Sequence, residues 1–333
     1  MAYSGTTTFN MTATQICTRA LAKLKGIDTS NNETIATQDY TDMLQQLNMI
    51  VKRTMATKGV LPWVRAYNVL ILAPYQTLYE LGPNTTDDWT SASNLVVTTM
   101  AAAGGSGGST VTLTSVTGLA NSMFLVFQTV NPNTNLPSTV TRSINGIVGK
   151  VVTLNSSITA PIANGTNVYG YTTLADRPQK ILEINRAQNY SLTTQTTNPV
   201  TMISLQEYMM LPNRNQAGIP LQANFANKIP SAELALWQPF DGVSGWQVLI
   251  CLCDTIIEDF VNTTDNPYFP VEWCDYLVFQ LAFEMSFEHP VSKIDRDDLK
   301  MVAAQFLDEL LDYTSALAED SLRFGLEYQR PPR

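Results

Sequence analysis

The residue types that could perform acid–base chemistry come closest together around His289, the one histidine of the chain. Glu288 precedes it, and Ser292 follows three positions later. A serine hydrolase needs a histidine that takes the proton of the serine hydroxyl and a carboxylate that orients the histidine. Nothing beyond nearness in sequence joins these residues here. Because His289 ends an apolar helical segment, we interpret it as a partner of the last helix carbonyls and predict no catalytic residue.

Four cysteines offer the alternative of a metal site. Cys251 and Cys253 are two positions apart, so on a strand both side chains point to the same side. Together with Cys274 and His289 they would supply three sulfurs and one nitrogen, a permitted zinc set. However, the C-x-C spacing differs from that of zinc fingers and ribbons, and all four residues stand in apolar runs. We therefore predict buried structural thiols, no metal ligands and no cofactor.

Two further patterns resemble ligand sites only in part. Asp295, Asp297 and Asp298 form an acidic run, but carboxylates in a first helical turn stabilise the helix dipole, and Asp295 is predicted to cap a helix. The glycine-rich stretch 101–110, AAAGGSGGST, is not followed by the lysine that a phosphate-binding loop requires. It is interpreted as a linker or hairpin tip. The sequence thus predicts a protein that is not an enzyme.

Charged residues are distributed very unevenly along the chain. The net charge is −9, yet residues 91–171 contain no acid and two bases, whereas residues 254–333 contain seventeen acids and six bases. An acidic protein lacks the attraction for phosphate on which sequence-independent DNA binding depends. The N-terminus has no signal-peptide pattern and no apolar run has the length of a membrane span, so no membrane contact is expected.

Helical periodicity is clearest near the two ends of the chain. Thr12 or Thr14 can cap a first helix that ends at Gly26, and a second helix is predicted from about Thr37 to Lys58. An almost wholly apolar helix is predicted after Pro270, followed by a last amphipathic helix. Before the apolar helix, SLQEYMMLP is predicted to form a short helix, and KILEINRAQNY, ELALWQPF and WQVLICLCD are predicted to form strands. These patterns favour an α+β fold in which an antiparallel helical bundle of about four main helices lies beside a β-region.

The middle of the chain has the two-residue period of strands. Residues 91–171 alternate threonine with valine, leucine or phenylalanine and contain a weak internal repeat, TVTLTSVT against VVTLNSSI. We interpret this stretch as an inserted all-β module, a small barrel or sandwich. The predicted domains are a core of 1–90 and 172–320, the module at 91–171, and an extended C-terminal arm at 321–333.

The order of several segments resembles the head-to-tail adaptor proteins of short-tailed bacteriophages, the family of tail tubular and packaged-DNA-stabilisation adaptors. The resemblance covers about residues 12–90 and 172–320 and includes no catalytic signature. The segments that carry it are TATQICTRALAKLKGID, MATKGVLPW, ILAPYQTLYELGP, RPQKILEINRA, ISLQEYMMLPNRNQAGIP, ELALWQPFDG and FPVEWCDYLVFQLAFEMS.

This resemblance implies a structural virion protein in the tail or neck, assembled in the host cytoplasm as a homo-oligomeric ring of twelve subunits. Its expected partners are the portal protein above and tail nozzle or tail fibre proteins below, with DNA passing through the channel without specific binding. Low charge and large aromatic residues suit the two faces that a ring subunit must bury.

The C-terminal arm is the expected portal-docking element, because free apolar side chains on a chain end tend to order on a partner. Two alternatives of other classes remain: a tail fibre or capsid-decoration protein that binds a receptor, and a cell-wall hydrolase with a carboxylate pair. The arm residues expected to contact the portal are Arg323, Phe324, Leu326, Tyr328, Arg330 and Arg333.

Overall fold

Strands contribute more of this fold than helices. The structure is a computed structural model and describes residues 11–24, 37–58, 64–131, 134, 136–190, 195–262, 264–266, 269–289 and 291–327. The helices are α1 (Ala13–Lys23), α2 (Thr37–Lys58), α3 (Leu205–Met210), α4 (Cys274–Met285) and α5 (Lys293–Glu327). The strands are β1 (Arg65–Ile71), β2 (Leu78–Leu81), β3 (Trp89–Ser91), β4 (Val96–Thr99), β5 (Thr110–Thr112), β6 (Phe124–Val130), β7 (Pro137–Val148), β8 (Val151–Leu154), β9 (Asn167–Tyr171), β10 (Lys180–Gln188), β11 (Thr196–Met202), β12 (Gln222–Ala226), β13 (Ala232–Trp237) and β14 (Val248–Asp254).

Two compact units divide the chain. The helical unit consists of Met1–Val64 and Ile257–Arg333, and the β unit consists of Arg65–Ile256. In the helical unit, α4 is the common partner of α1, α2 and α5. Thr12 begins α1 with a reciprocal capping box, in which Gln15 completes the second hydrogen bond. Large apolar residues on α4, including Leu277 and Leu281, are fully buried among the other helices.

An eight-stranded sheet forms the centre of the β unit, in the order β2-β13-β12-β11-β10-β14-β1-β3. All its pairings are antiparallel except that of β11 with β12. Strand β1 is buried on both faces along its second half: Leu70 lies in the apolar core on one side, and Val69 and Ile71 lie in a separate cluster on the other. Antiparallel sheets buried on both faces lose the simple alternation of apolar and polar residues.

A second sheet of six strands, in the order β4-β9-β6-β7-β8-β5, occupies residues 96–171. It curls so that an isolated bridge between Met100 and Leu113 links the ends of its two edge strands. Leu125 and Phe127 point into its own core, and Val126 between them packs into the cluster shared with the eight-stranded sheet. Val96 pairs with Gly170, so the two ends of this sheet's segment lie side by side.

The predicted fold class is wrong. The fold is mostly β: strands account for 33% and helices for 28%, and the strands form two large curled sheets. Among the described residues no four-helix bundle forms the core. The reason is that strands separated by long stretches of sequence, such as β1 and β14, pair into one sheet. The period of each strand was visible in the sequence, but these long-range pairings were not.

The predicted extended arm is also corrected in part. Helix α5 continues to Glu327, so residues 321–327 are helical. One glycine inside a helix costs only about 1 kcal/mol relative to alanine, and Pro331 and Pro332 follow the helix end. Tyr328, Arg330 and Arg333 lie outside the described residues, as do the side chains of Arg323, Phe324 and Leu326.

Candidate functional site

His289 lines a cavity of about 560 Å³ in the helical unit, together with Lys23, Ser292, Asp295 and Asp298. The Ser292 hydroxyl accepts the backbone N–H of Asp295 at 3.2 Å, so Ser292 caps α5. The predicted cap at Asp295 is therefore wrong, because α5 begins at residue 293 and Asp295 already lies in its first turn. Among the described residues no hydrogen bond joins Ser292 to His289. The cavity contains the residue types of a hydrolase without its proton relay.

All four cysteines are buried and free of disulfides. Cys251 and Cys253 lie in the apolar core of the β unit, whereas Cys17 and Cys274 lie in the core of the helical unit. The hypothetical zinc set is thus divided between the two units. Within the described parts of the chain, no group of three or more histidine, cysteine or acidic side chains is arranged to hold a metal ion.

Burial suppresses the reactivity of these thiols. It raises the pKa of Cys17 and of Cys253 from 9.0 to about 12, and it raises the pKa of Cys251 well above 9.0. A rise of this size lowers the thiolate fraction at pH 8 by about a thousandfold, and the thiolate is the reactive form.

We expect Cys17, Cys251 and Cys253 to react at least about a thousandfold more slowly with a chromogenic disulfide reagent in the native protein than in guanidinium chloride. Cys274 should also react more slowly, because burial raises the pKa of its thiol. The Val148→Cys variant is the matched control, because Val148 is exposed and its replacement should be labelled rapidly under native conditions. A native cysteine that is labelled as fast as the cysteine of that variant would show that the site is open to solvent.

The clearest binding feature is a group of exposed apolar side chains on the short helix α3. Leu205, Met209 and Met210 are each at least 60% exposed. Leu205 and Met209 are four positions apart and therefore neighbours on one side of the helix. Arg214 follows in the next loop, with its Nη1 3.0 Å from the sulfur of Met209. We call these four residues the α3 surface.

The α3 surface is held in place by local hydrogen bonds. Ser204 and Glu207 form a capping box, and these hydrogen bonds from Ser204 lower the pKa of the Glu207 carboxyl. On the inner side of the helix, Tyr208 is buried and its hydroxyl donates to the Leu236 carbonyl at 3.5 Å. The amide of Asn224 donates to the Ile203 carbonyl at 2.9 Å. A surface on an element anchored in this way loses little conformational entropy when it binds.

Arg214 adds a positive charge to this apolar surface. Its guanidinium lies over the ring of Tyr208, 5.9 Å from the centroid, and lines an open polar cavity of about 740 Å³. No carboxylate of the described residues forms an ion pair with it. Methionine and arginine are enriched at protein interfaces. The arrangement is therefore suited to a protein partner that brings an apolar face and a carboxylate.

Sequence reasoning predicted a helix at SLQEYMMLP but not that its apolar side chains would be exposed. The capping box Ser204/Glu207 was a sequence signal for the helix itself. The inward position of Tyr208, which leaves Leu205, Met209 and Met210 exposed, is seen only in the structure. Sequence reasoning also missed Asp88, which the structure buries between the two sheets of the β unit.

Comparisons with known proteins add no family assignment: no protein-family model matches the chain, and no curated protein matches it. No helix in the described part of the chain is long and apolar enough to cross a membrane. The resemblance to the adaptor family therefore depends on the sequence segments alone.

Proposed function

We propose that this chain is a structural virion protein, a head-to-tail adaptor that acts as one copy of a ring between the portal and the tail of a short-tailed bacteriophage. The observation that carries the proposal is the α3 surface, where a capped and anchored helix keeps Leu205, Met209 and Met210 in contact with solvent. This surface belongs to ISLQEYMMLPNRNQAGIP, one of the segments that resemble the adaptor family. Fixed apolar side chains at a surface indicate a binding partner.

The partner of the α3 surface in this proposal is helix α5 of the next copy. The solvent-facing side of α5 presents Ile294 and Met301, which are 74% and 63% exposed and two turns apart. Asp298 and Asp308 lie on the same exposed stripe and offer carboxylates to Arg214. An apolar and basic surface that meets an apolar and acidic one forms a head-to-tail contact. Repeated head-to-tail contacts form a ring when the rotation between neighbouring copies closes the circle.

DNA is expected to pass through the ring without specific binding. Residues 254–333 carry seventeen of the 29 acidic side chains. Carboxylates that face a channel repel phosphates over about 8 Å at physiological ionic strength, which favours sliding over retention. The expected partners are the portal protein on one side and tail nozzle or tail fibre proteins on the other.

The proposal is tested by counting subunits of the purified protein, alone and mixed with portal, using native mass spectrometry and negative-stain electron microscopy. We expect a closed ring of twelve copies that is assembled at least on the portal. Replacing Met209 and Met210 together with glutamate should weaken assembly by about a hundredfold or more, because buried charges oppose an apolar interface. Circular dichroism should remain unchanged, since both side chains are exposed.

Val148→Glu is the matched control. Val148 is an 80% exposed valine beside the β7–β8 turn. The substitution therefore also replaces an exposed apolar residue with glutamate, but at a position outside the α3 surface. The Val148→Glu variant should assemble into the same ring as the unchanged protein. A trimer would instead support the tail fibre alternative, and a ring that tolerates the double glutamate variant would contradict the assigned interface.

A further inference from the structure

The β unit contains a cavity of about 360 Å³ lined by strands of the six-stranded sheet, by the β2–β3 connection and by other connecting residues. This volume is in the range of small-molecule sites, about 300–1,000 Å³. Its wall combines an aromatic ring, a buried carboxylate and a series of hydroxyl and amide groups. The polar residues around its rim are Thr85, Thr86, Ser143, Asn155 and Ser156.

Asp88 supplies the carboxylate and is 9% exposed. Its oxygens accept the Tyr171 hydroxyl at 2.7 Å and the Thr141 hydroxyl at 3.0 Å. Each carboxylate oxygen has two lone pairs, so acceptor capacity remains after these bonds. No described cation forms an ion pair with Asp88. A ligand that donates a hydrogen bond would therefore find a buried acceptor in the wall.

Arg142 lines the same cavity, and two of its five N–H donors are directed to backbone carbonyls. Nη1 donates to Thr141 O at 2.8 Å and Nε donates to Ser157 O at 3.2 Å. The carboxylate of Asp88 is thus not neutralised by the nearby guanidinium. With one carboxylate and one engaged arginine, the site has no excess of positive charge, and an anionic ligand is not favoured.

Phe124 provides an aromatic face at the mouth of the cavity. Its ring stacks on Tyr171, with centroids 5.4 Å apart and an interplanar angle of 27°. Tyr171 is buried, whereas Phe124 is 39% exposed, so the side of Phe124 away from Tyr171 remains accessible. The C–H bonds of a flat, neutral ring system pack favourably on such an exposed aromatic face.

We propose that this cavity is a saccharide-binding site that takes one neutral sugar ring, stacked on Phe124 with a hydroxyl donating to Asp88. A sugar combines apolar C–H faces with many hydroxyl groups, which matches an aromatic platform surrounded by Asn155, Ser143 and Ser156. The stability cost of Asp88 supports the assignment: burial raises the pKa of its carboxyl to about 6, so the ionised group destabilises the empty protein. Buried ionisable groups with perturbed pKa values cluster at functional sites.

Saturation-transfer-difference NMR on the full-length protein tests the site with the methyl glycosides of glucose, galactose and N-acetylglucosamine as probes. We expect saturable binding of at least one probe with a dissociation constant in the millimolar range, as is usual for one small neutral ring. Phe124→Ala should weaken this binding about tenfold, because the stacking surface is removed. Asn155→Ala, at an exposed position, should weaken it without disturbing the fold.

Phe287→Ala is the control, since Phe287 is an exposed phenylalanine that belongs to the helical unit. It should leave probe binding unchanged. The proposal is overturned if none of the three glycosides binds saturably. It is equally overturned if a glycoside binds but neither Phe124→Ala nor Asn155→Ala alters the affinity.

Discussion

Replacing Trp273 with alanine is expected to destabilise the helical unit by about 3–5 kcal/mol, the usual cost of removing a fully buried large aromatic residue. Trp273 is 2% exposed, lies immediately before α4 at the N-cap position, and is part of the apolar core. Its ring contacts Phe269 at a centroid distance of 5.5 Å and meets Tyr276 edge to face at 5.8 Å. Since domains are stable by only about 5–15 kcal/mol, this loss is a large part of the total.

The measurement is urea unfolding followed by circular dichroism at the helical band. Val271→Ala is the control, because Val271 lies two residues away and is 38% exposed. The Val271→Ala substitution should lower the free energy of unfolding by less than about 1 kcal/mol. A Trp273→Ala protein that unfolds at the same urea concentration as the control would show that the aromatic cluster does not stabilise the helices.

Asp88→Asn is expected to stabilise the protein at pH 7 by up to about 3 kcal/mol, which is the free-energy equivalent of the rise in pKa from 3.8 to about 6. Burial causes the rise, and Asp87 adds to it, whereas the hydrogen bonds from Tyr171 and Thr141 oppose it. Asparagine keeps an acceptor for the Tyr171 hydroxyl and carries no charge, so the desolvation cost disappears.

The pH dependence has a definite sign. Because the pKa of Asp88 is higher in the folded than in the unfolded chain, its contribution to stability is most favourable below about pH 3.8. That contribution is lost as pH rises through about 6 and is constant above it. The difference in unfolding free energy between Asp88→Asn and the unchanged protein should therefore grow between about pH 4 and 6.5 and then level off.

Asp87→Asn is the matched control for this experiment. The Asp87 carboxylate accepts the Gln76 side-chain amide at 2.7 Å and the Glu80 backbone N–H at 2.6 Å. Loss of one of these acceptors should destabilise the protein by about 1 kcal/mol, the opposite sign to the change at Asp88. If both variants destabilise at pH 7, ionised Asp88 is not a source of strain in the fold.

Individual helices and strands could be predicted because the residue spacings and capping residues that define them lie within a short stretch of sequence. The three- and four-residue spacing in α1 and α2 predicted both helices. Of the two predicted cap residues, Thr12 is the one that caps α1, and the predicted end at Gly26 lies outside the described residues. The same holds for β10, β13 and β14, whose apolar residues recur at the period of a strand. The buried character of α4 was also evident, because its sequence lacks a polar face.

The candidate sites were predictable only to a smaller extent. The helical nature of α3 followed from sequence, but exposure of Met209 and Met210 depends on which side of the helix meets the sheet, and Tyr208 decides that by packing inward. Asp88 gave no local signal of burial, since it follows another aspartate in a polar stretch. Its environment is created by Tyr171 and Thr141, which are more than fifty positions away in sequence.

The amino-acid sequence by itself therefore determined the helices and most strands, the acid-free composition of 91–171 and the acidic character of 254–333. Only the tertiary structure decided the fold class, the strand order and the two surfaces proposed for binding. The physical reason is that periodicity records which side of an element is apolar but not which element covers it. The pairing of β1 with β14 and of β2 with β13 depends on the burial shared by distant segments, and that burial exists only in the folded chain.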